Sequence, residues 1–303
     1  MPKVDVKPGN DSMIQEPDAK QVHLDFYKEI TKTAYISGVV IILGSAYAQY
    51  LFSGLGLVVG MLVVYGIPIL TITWLWGRTI IRRALRNTRV AVRFGLGFFG
   101  AFTVLGLVAA SAIFLVLLSL DPAALNLLNK PNPVLHISQQ YAWIMVWVSV
   151  LIVGPAEEYL FRGFVFGGLL SLVKNRHWLA LSFLSSVLFA AAHLYYAVVY
   201  GVASAVQFAD LVTFGMAMAA AYYFSGGNLL VPALIHGAYD ATGFLGVATS
   251  SGLGATLRGL MILIGLIVAL TLFIDKMRKR RTVHRESSAK TASVRSPVGG
   301  LDA

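Results

Sequence analysis

From Ala34 onward the chain is a succession of apolar runs, each long enough at about 1.5 Å per residue to cross a hydrocarbon layer of roughly 30 Å. Such runs, found near residues 34–52, 55–76, 95–119, 142–170, 178–200, 207–225, 229–248 and 256–274, read as membrane-crossing helices. The expected fold is therefore all-α, a polytopic membrane helical bundle with about eight transmembrane helices. Composition agrees: 57% of the 303 residues are hydrophobic and only 13% charged, which is membrane composition and not that of a soluble core.

Three regions follow from the pattern. Residues 1–33 are a polar arm of mixed charge, from Lys3 and Asp5 to Glu29 and Lys32, with no apolar stretch of the kind a cleavable signal needs. Residues 34–275 are the transmembrane domain. Residues 276–303 form a basic tail, rich beyond Arg281 in Ser, Ala and Lys, and expected to be disordered. The formal net charge of +10 is clustered. Arg78, Arg82, Arg83, Arg86, Arg89 and Arg93 form one group, Lys174 and Arg176 another, and Lys276, Arg278, Lys279, Arg280 and Arg281 a third, whereas the alternate loops hold only Lys130 and Arg258. With eight spans the three groups share a side, which puts both termini in the cytoplasm. The spacing of the first group predicts an amphipathic helix lying on anionic headgroups, and the tail reads as juxtamembrane anchoring with no nucleic-acid partner. There is no cysteine, so thiolate catalysis, disulfides and cysteine metal sites are excluded.

One stretch breaks the apolar pattern. Within the fourth run, after Pro155, stand Glu157, Glu158 and Arg162. An ionised group in hydrocarbon costs roughly 2.5 kcal/mol or more, so unpartnered acids there need a use. On a regular helix Glu158 and Arg162 share a face and can pair, while Glu157 is turned about 100° away and is left to accept a proton. Pro155 predicts a kink just before the acids.

Two further polar stations lie in other runs. Phe189 and His193 are one turn apart in the fifth, with Ala190, Ala191 and Ala192 between them, and His236 and Asp240 are one turn apart in the seventh. Counting residues from the cytoplasmic ends puts Glu157, His193, His236 and Asp240 at overlapping depths of roughly 11 to 24 Å. Side chains from three separate helices can then meet in one wet cavity. A carboxylate that deprotonates water, a histidine that holds the water and donors that stabilise an oxyanion together make a peptide hydrolase without a nucleophilic side chain.

The three motifs, Glu157-Glu158-x-x-x-Arg162, Phe189-x-x-x-His193 and His236-x-x-x-Asp240, resemble those of the CAAX protease and bacteriocin-processing (Abi) family of intramembrane endopeptidases, which includes the type II CAAX prenyl protease. The likeness covers about residues 141–248. It implies that Glu157 is the general base, that His193 positions the water, that His236 and Asp240 occupy the oxyanion-stabilising station, and that Glu158 and Arg162 support structure or contact substrate. The substrate implied is a membrane-associated protein or peptide. Where the prenyl protease branch usually has asparagine this chain has Asp240, and an ionised aspartate donates no hydrogen bond. Either it is protonated, or it orients His236, or it ligates a metal. The difference resembles the bacterial members and weakens the case for a prenylated substrate.

The family has been described both as metal-dependent and as metal-free. Glu157, His193, His236 and Asp240 are the candidate ligands if zinc is bound. There is no His-Glu-x-x-His, and the reading favours a glutamate mechanism with no required cofactor. Two other classes remain in competition on sequence: a proton- or ion-coupled transporter using the same acids and histidines, and a non-catalytic peptide-binding immunity protein. Trp74, Trp76, Trp143, Trp147 and Trp178 read as interfacial belt residues, Tyr195, Tyr196, Tyr222 and Tyr223 as cavity or lipid contacts, and Gly226, Gly227 and Asn228 as a tight turn.

Overall fold

The computed structural model describes residues 30–48, 56–120, 126, 135, 137–173 and 177–294. Most of the polar arm, Lys130, Lys174, Arg176 and residues 295–303 lie outside the described residues. Among the described residues there are eight helices and no strand. They are α1 Lys32–Ala48, α2 Val59–Ile81, α3 Thr88–Leu120, α4 Gln139–Leu172, α5 Trp178–Ala191, α6 Tyr195–Phe224, α7 Leu230–Thr249 and α8 Leu253–Val294. Five of these, α2, α3, α4, α6 and α8 as far as Arg278, are long and apolar enough to cross a membrane. α1 and α5 are apolar but shorter, at 17 and 14 residues, and α7 carries His236 and Asp240.

Several boundaries differ from those read in the sequence. The expected span at 178–200 ends at Ala191, because the amides of His193 and Leu194 bond to carbonyls three residues back and close the helix in a tight turn. Tyr47 of α1 donates to the Ala191 carbonyl at 2.6 Å, giving that oxygen a second donor beside the Leu194 amide. α6 then starts at Tyr195, twelve residues earlier than expected, and a short 3-10 turn at Gly201–Ala203 interrupts it.

The arginine-rich connector is not a separate amphipathic helix. Arg78 lies in the last turn of α2, residues 82–87 form a turn, and Arg89 and Arg93 belong to α3. The turn's polar groups find better partners outside a helix. Asn228 donates to the Arg86 carbonyl at 2.7 Å, the amides of Leu229 and Leu230 reach the Ala84 carbonyl, and Asn87 takes a left-handed conformation that asparagine tolerates. The expected tight turn at Gly226, Gly227 and Asn228 is thus one half of a clasp between two loops. α8 also continues to Val294, through part of the tail expected to be disordered. Extending a formed helix needs no new nucleus, and Arg, Glu, Ala and Lys in this stretch are good helix formers.

The core is organised around α4. From Ala156 to Leu170 nearly every residue is buried, with Leu160, Phe164, Phe166 and Leu170 almost fully so. The outward faces of the other helices carry large apolar side chains such as Leu70, Leu107 and Val198, as a lipid-facing surface requires. Trp74, Trp143 and Trp147 share that exposure. Trp76 does not: it is buried edge-on to Phe164, and Trp178 stacks on Tyr223, so both serve packing.

α4 and α7 cross at contact distance. A Cβ on Gly154 would stand 2.6 Å from the Ala233 carbonyl oxygen and from the Gly237 amide, and one on Gly237 would stand 2.6 Å from the Ser149 carbonyl oxygen. All of these neighbours are backbone, so nothing flexible can give way. Gly154→Ala should destabilise the protein by about 1–3 kcal/mol, the usual cost of overpacking. Gly259→Ala, with nothing within 4 Å of the new Cβ, should be neutral or slightly stabilising. Thermal unfolding of both variants in detergent checks the contrast.

Candidate active site

The part of α4 that carries the acids is wound wider than an α-helix. Residues Ser149–Val153 and Glu158–Phe166 are π-helical, and the short α segment Gly154–Glu157 with Pro155 lies between them. Proline lacks the amide that a regular turn uses, and where the sequence leads one to expect a kink the helix has two widened turns. Glu157 lines the cavity and Glu158 does not, yet the two carboxylates approach opposite nitrogens of one imidazole. Both glutamates reach one side chain of α7: His236 Nδ1 lies 2.7 Å from Glu158 Oε1, and its Nε2 lies 3.6 Å from Glu157 Oε2.

The charges form one connected network. Glu158 and Arg162 are almost wholly buried, and Arg162 Nη1 stands 3.0 Å from Glu158 Oε1. Arg162 also donates from Nη2 to the Gly215 carbonyl of α6 at 3.3 Å and lies 4.6 Å above the centre of the Phe189 ring of α5. Phe189 packs in turn against His193 and His236. The aromatic of the second motif is therefore the surface on which the arginine and both histidines are seated. Glu158 Oε2 has no hydrogen-bond partner among the described residues, which leaves this carboxylate dependent on Arg162 and His236.

Glu157 is held differently. Tyr65 of α2 donates its hydroxyl to Glu157 Oε1 at 2.7 Å, leaving Oε2 to face His236 at 3.6 Å and His193 Nε2 at 4.0 Å. Tyr65 lies in another widened turn, Leu62–Gly66, and sequence reasoning missed it. A tyrosine in an apolar run gives no sign of which way it points. His193 Nδ1 is 2.9 Å from the Phe189 carbonyl, which can only accept, so in the neutral ring Nδ1 carries the proton and Nε2 is an acceptor. Asp240 Oδ2 stands 3.4 Å from His236 Nε2. Carboxylates therefore face both nitrogens of His236, an arrangement that an N–H on each would satisfy.

All six side chains singled out from sequence, Glu157, Glu158, Arg162, His193, His236 and Asp240, thus fall into one cluster. Glu157, His193, His236 and Asp240 line a cavity of about 620 Å³, together with Tyr65 and Arg258. Tyr195 and Tyr196 also line it, whereas Tyr222 packs on Phe166 and Tyr223 on Trp178. Arg258, assigned by its position in the sequence to a loop, lies in α8 and faces this cavity. The signal was present in the sequence as a lone arginine in a long apolar helix.

Among the described residues no group of three or more His, Asp and Glu side chains is arranged to hold a metal ion. Tyr65 occupies one oxygen of Glu157, and Glu158 occupies Nδ1 of His236.

Fold and site together define a helical membrane protein with a buried histidine–carboxylate cluster opening on a cavity. Residues 139–242 match the model of the family described as type II CAAX prenyl endopeptidase Rce1-like, which agrees with the resemblance carried by the three motifs. No curated protein and no solved structure matches the chain.

Removing one member of the buried ion pair leaves the other charge without compensation, at a cost of about 3–5 kcal/mol. Arg162→Met should therefore give little folded protein. Size-exclusion chromatography of the detergent-solubilised variant, read as the monodisperse fraction against the unsubstituted chain, checks this.

Proposed function

We propose that the protein is an intramembrane endopeptidase that hydrolyses a peptide bond in a membrane-associated protein or peptide, with Glu157 as general base. The observation that carries the reading is the placement of Glu157 Oε2 4.0 Å from the acceptor nitrogen of His193 and 3.6 Å from His236 on the wall of one cavity. At 4.0 Å two acceptors do not bond to each other, but one water can donate a proton to each. Its oxygen lone pair is then free to attack a carbonyl carbon.

In this mechanism Glu157 takes one proton of the water as the C–O bond forms, and the carbonyl oxygen becomes an oxyanion. His236, supplied with carboxylates at both nitrogens, offers Nε2–H to that oxyanion. Asp240, at 3.4 Å from the same nitrogen, orients the ring, which supports the second of the three roles open to it on sequence. Glu157 then returns its proton to the departing amine as the C–N bond breaks. Glu158 and Arg162 hold His236 and the widened turn in place without touching substrate. No step needs a metal.

Both termini face the cytoplasm in this reading. The Arg93–Asp275 ion pair at 3.2 Å supports it, since it sets the start of α3 and the end of the apolar part of α8 at the same end of the bundle, where the basic groups collect.

Comparison of membrane proteomes from cells bearing the intact protein and Glu157→Gln should reveal termini made only by the former. On a substrate so found, the purified variant should lose about 100- to 10,000-fold in kcat, and a strong chelator should leave the intact protein active. Abolition by chelator with rescue by zinc overturns the metal-free step, and ion flux without cleavage overturns the peptidase. Tyr65→Phe removes a hydrogen bond to a charged group, so kcat should fall about ten- to a hundred-fold with KM little changed, as befits a residue that positions the base.

A further inference from the structure

The cavity is lopsided along the bundle axis. On α4 its wall runs from Glu157 back through Val153 and Ser149 to Met145, roughly 18 Å at a helical rise. α2 adds Gly60, Met61 and Val64 from its first two turns, α6 adds Tyr195 and Tyr196 from its first turn, and α7 adds Gly243 and Phe244 beyond Asp240. The helix ends on this side are tied together. Tyr47 near the end of α1 donates to Ala191 at the end of α5, and Gln139 at the start of α4 reaches Ser250 just after α7. Among the described residues, the lining includes nothing from α2 after Tyr65, α4 after Phe161 or α6 after Phe214. Past those points the bundle is solid. A Cβ on Gly163 would stand 2.7 Å from Ile80 and one on Gly168 2.6 Å from Tyr35, and Phe164, Phe166 and Leu170 are almost fully buried. That closed end is also the basic one, with Arg78, Arg82, Arg89 and Arg93 around the turn from α2 to α3 and Lys174 and Arg176 following α4 in the sequence.

We propose that the cavity opens to the side of the membrane away from the cytoplasm, and that its substrate is a polypeptide segment presented at that face, from an exported or membrane-anchored chain. The inference rests on the peptidase reading for its substrate, whereas the direction of the opening rests on geometry and charge alone. Lys and Arg in short links beside membrane helices stay on the cytoplasmic side, so the basic, closed end faces the cytoplasm. From there to Glu157 stand about 22 Å of packed α4. A peptide entering that way would have to part Phe164 from Tyr35 and Trp76 and strand the buried Glu158–Arg162 pair. From the other side it meets a preformed space with apolar walls, among them Met61, Val64 and Phe244. The 18 Å or so of wall between Met145 and Glu157 takes an extended chain of about five or six residues. The segment must therefore be unfolded over at least that length.

The chain has no cysteine, so an introduced one is its single thiol. Gly60→Cys and Met61→Cys put it on the cavity wall, and a Cβ on Gly60 meets nothing within 4 Å. Gly252→Cys marks the link between α7 and α8, and Arg82→Cys the exposed basic turn. Each full-length variant is made in a bacterial host, and sealed spheroplasts are treated with a small, membrane-impermeant, cationic methanethiosulfonate. Modification is read as loss of later maleimide labelling in the denatured protein. The two wall variants and Gly252→Cys should lose most of that labelling in sealed spheroplasts, and Arg82→Cys only after lysis. Modification of Arg82→Cys in sealed spheroplasts, or of both wall variants only after lysis or not at all, overturns the direction of opening. In the proteome comparison with Glu157→Gln, the new termini should map to the non-cytoplasmic side of their parent proteins. Termini on the cytoplasmic side overturn the substrate class even where the thiols react from outside. Thiols that react from outside with no new termini remove the peptidase and leave the opening standing.

Discussion

The structure depends on making Glu158 and Arg162 tolerable where they are. Both are buried to within 1% of their surface, and taking an unpaired ion out of water costs several kcal/mol even after relaxation. The compensation comes from four helices at once: α4 supplies the pair, α5 the Phe189 ring, α6 the Gly215 carbonyl and α7 the second partner of Glu158, His236. None of these helices can move away without stranding a charge. Glu157 directly precedes Glu158 in the chain, so the group proposed to do chemistry is fixed by one that cannot shift.

Much of this was open to inspection before any coordinates. Ionisable side chains are conspicuous in apolar runs, so Glu157, Glu158, Arg162, His193, His236 and Asp240 stood out, and the four-residue spacing of Glu158 and Arg162 announced their pairing. What lay hidden has physical reasons. The end of α5 is made by backbone bonds and by Tyr47 from α1, with neither glycine nor proline to mark it. The π-helical winding around the acids leaves no trace in hydropathy, and neither does the meeting of both glutamates at His236. The arginine connector obeyed helical spacing, yet Asn228, more than a hundred residues away, offered its carbonyls better partners.

The segment that matches the family model, residues 139–242, holds all six motif side chains but does not complete the site. Tyr65 comes from α2, and Arg258 comes from α8. Both act on residues inside the segment, the one through Glu157 and the other through Tyr239 and Thr242. The helices on either side therefore do more than shield the centre from lipid. They hold Glu157 in place and set the electrostatic character of the far wall.

The widened winding at Glu158–Phe166 gives the chain a particular genetic fragility. A π turn is an α turn with a residue to spare, so losing any one residue from this stretch would relax it to the commoner form. The two halves of α4 would then rotate against each other by about 100°. Length, as much as the identity of Glu158 and Arg162, is what this part of the gene has to preserve.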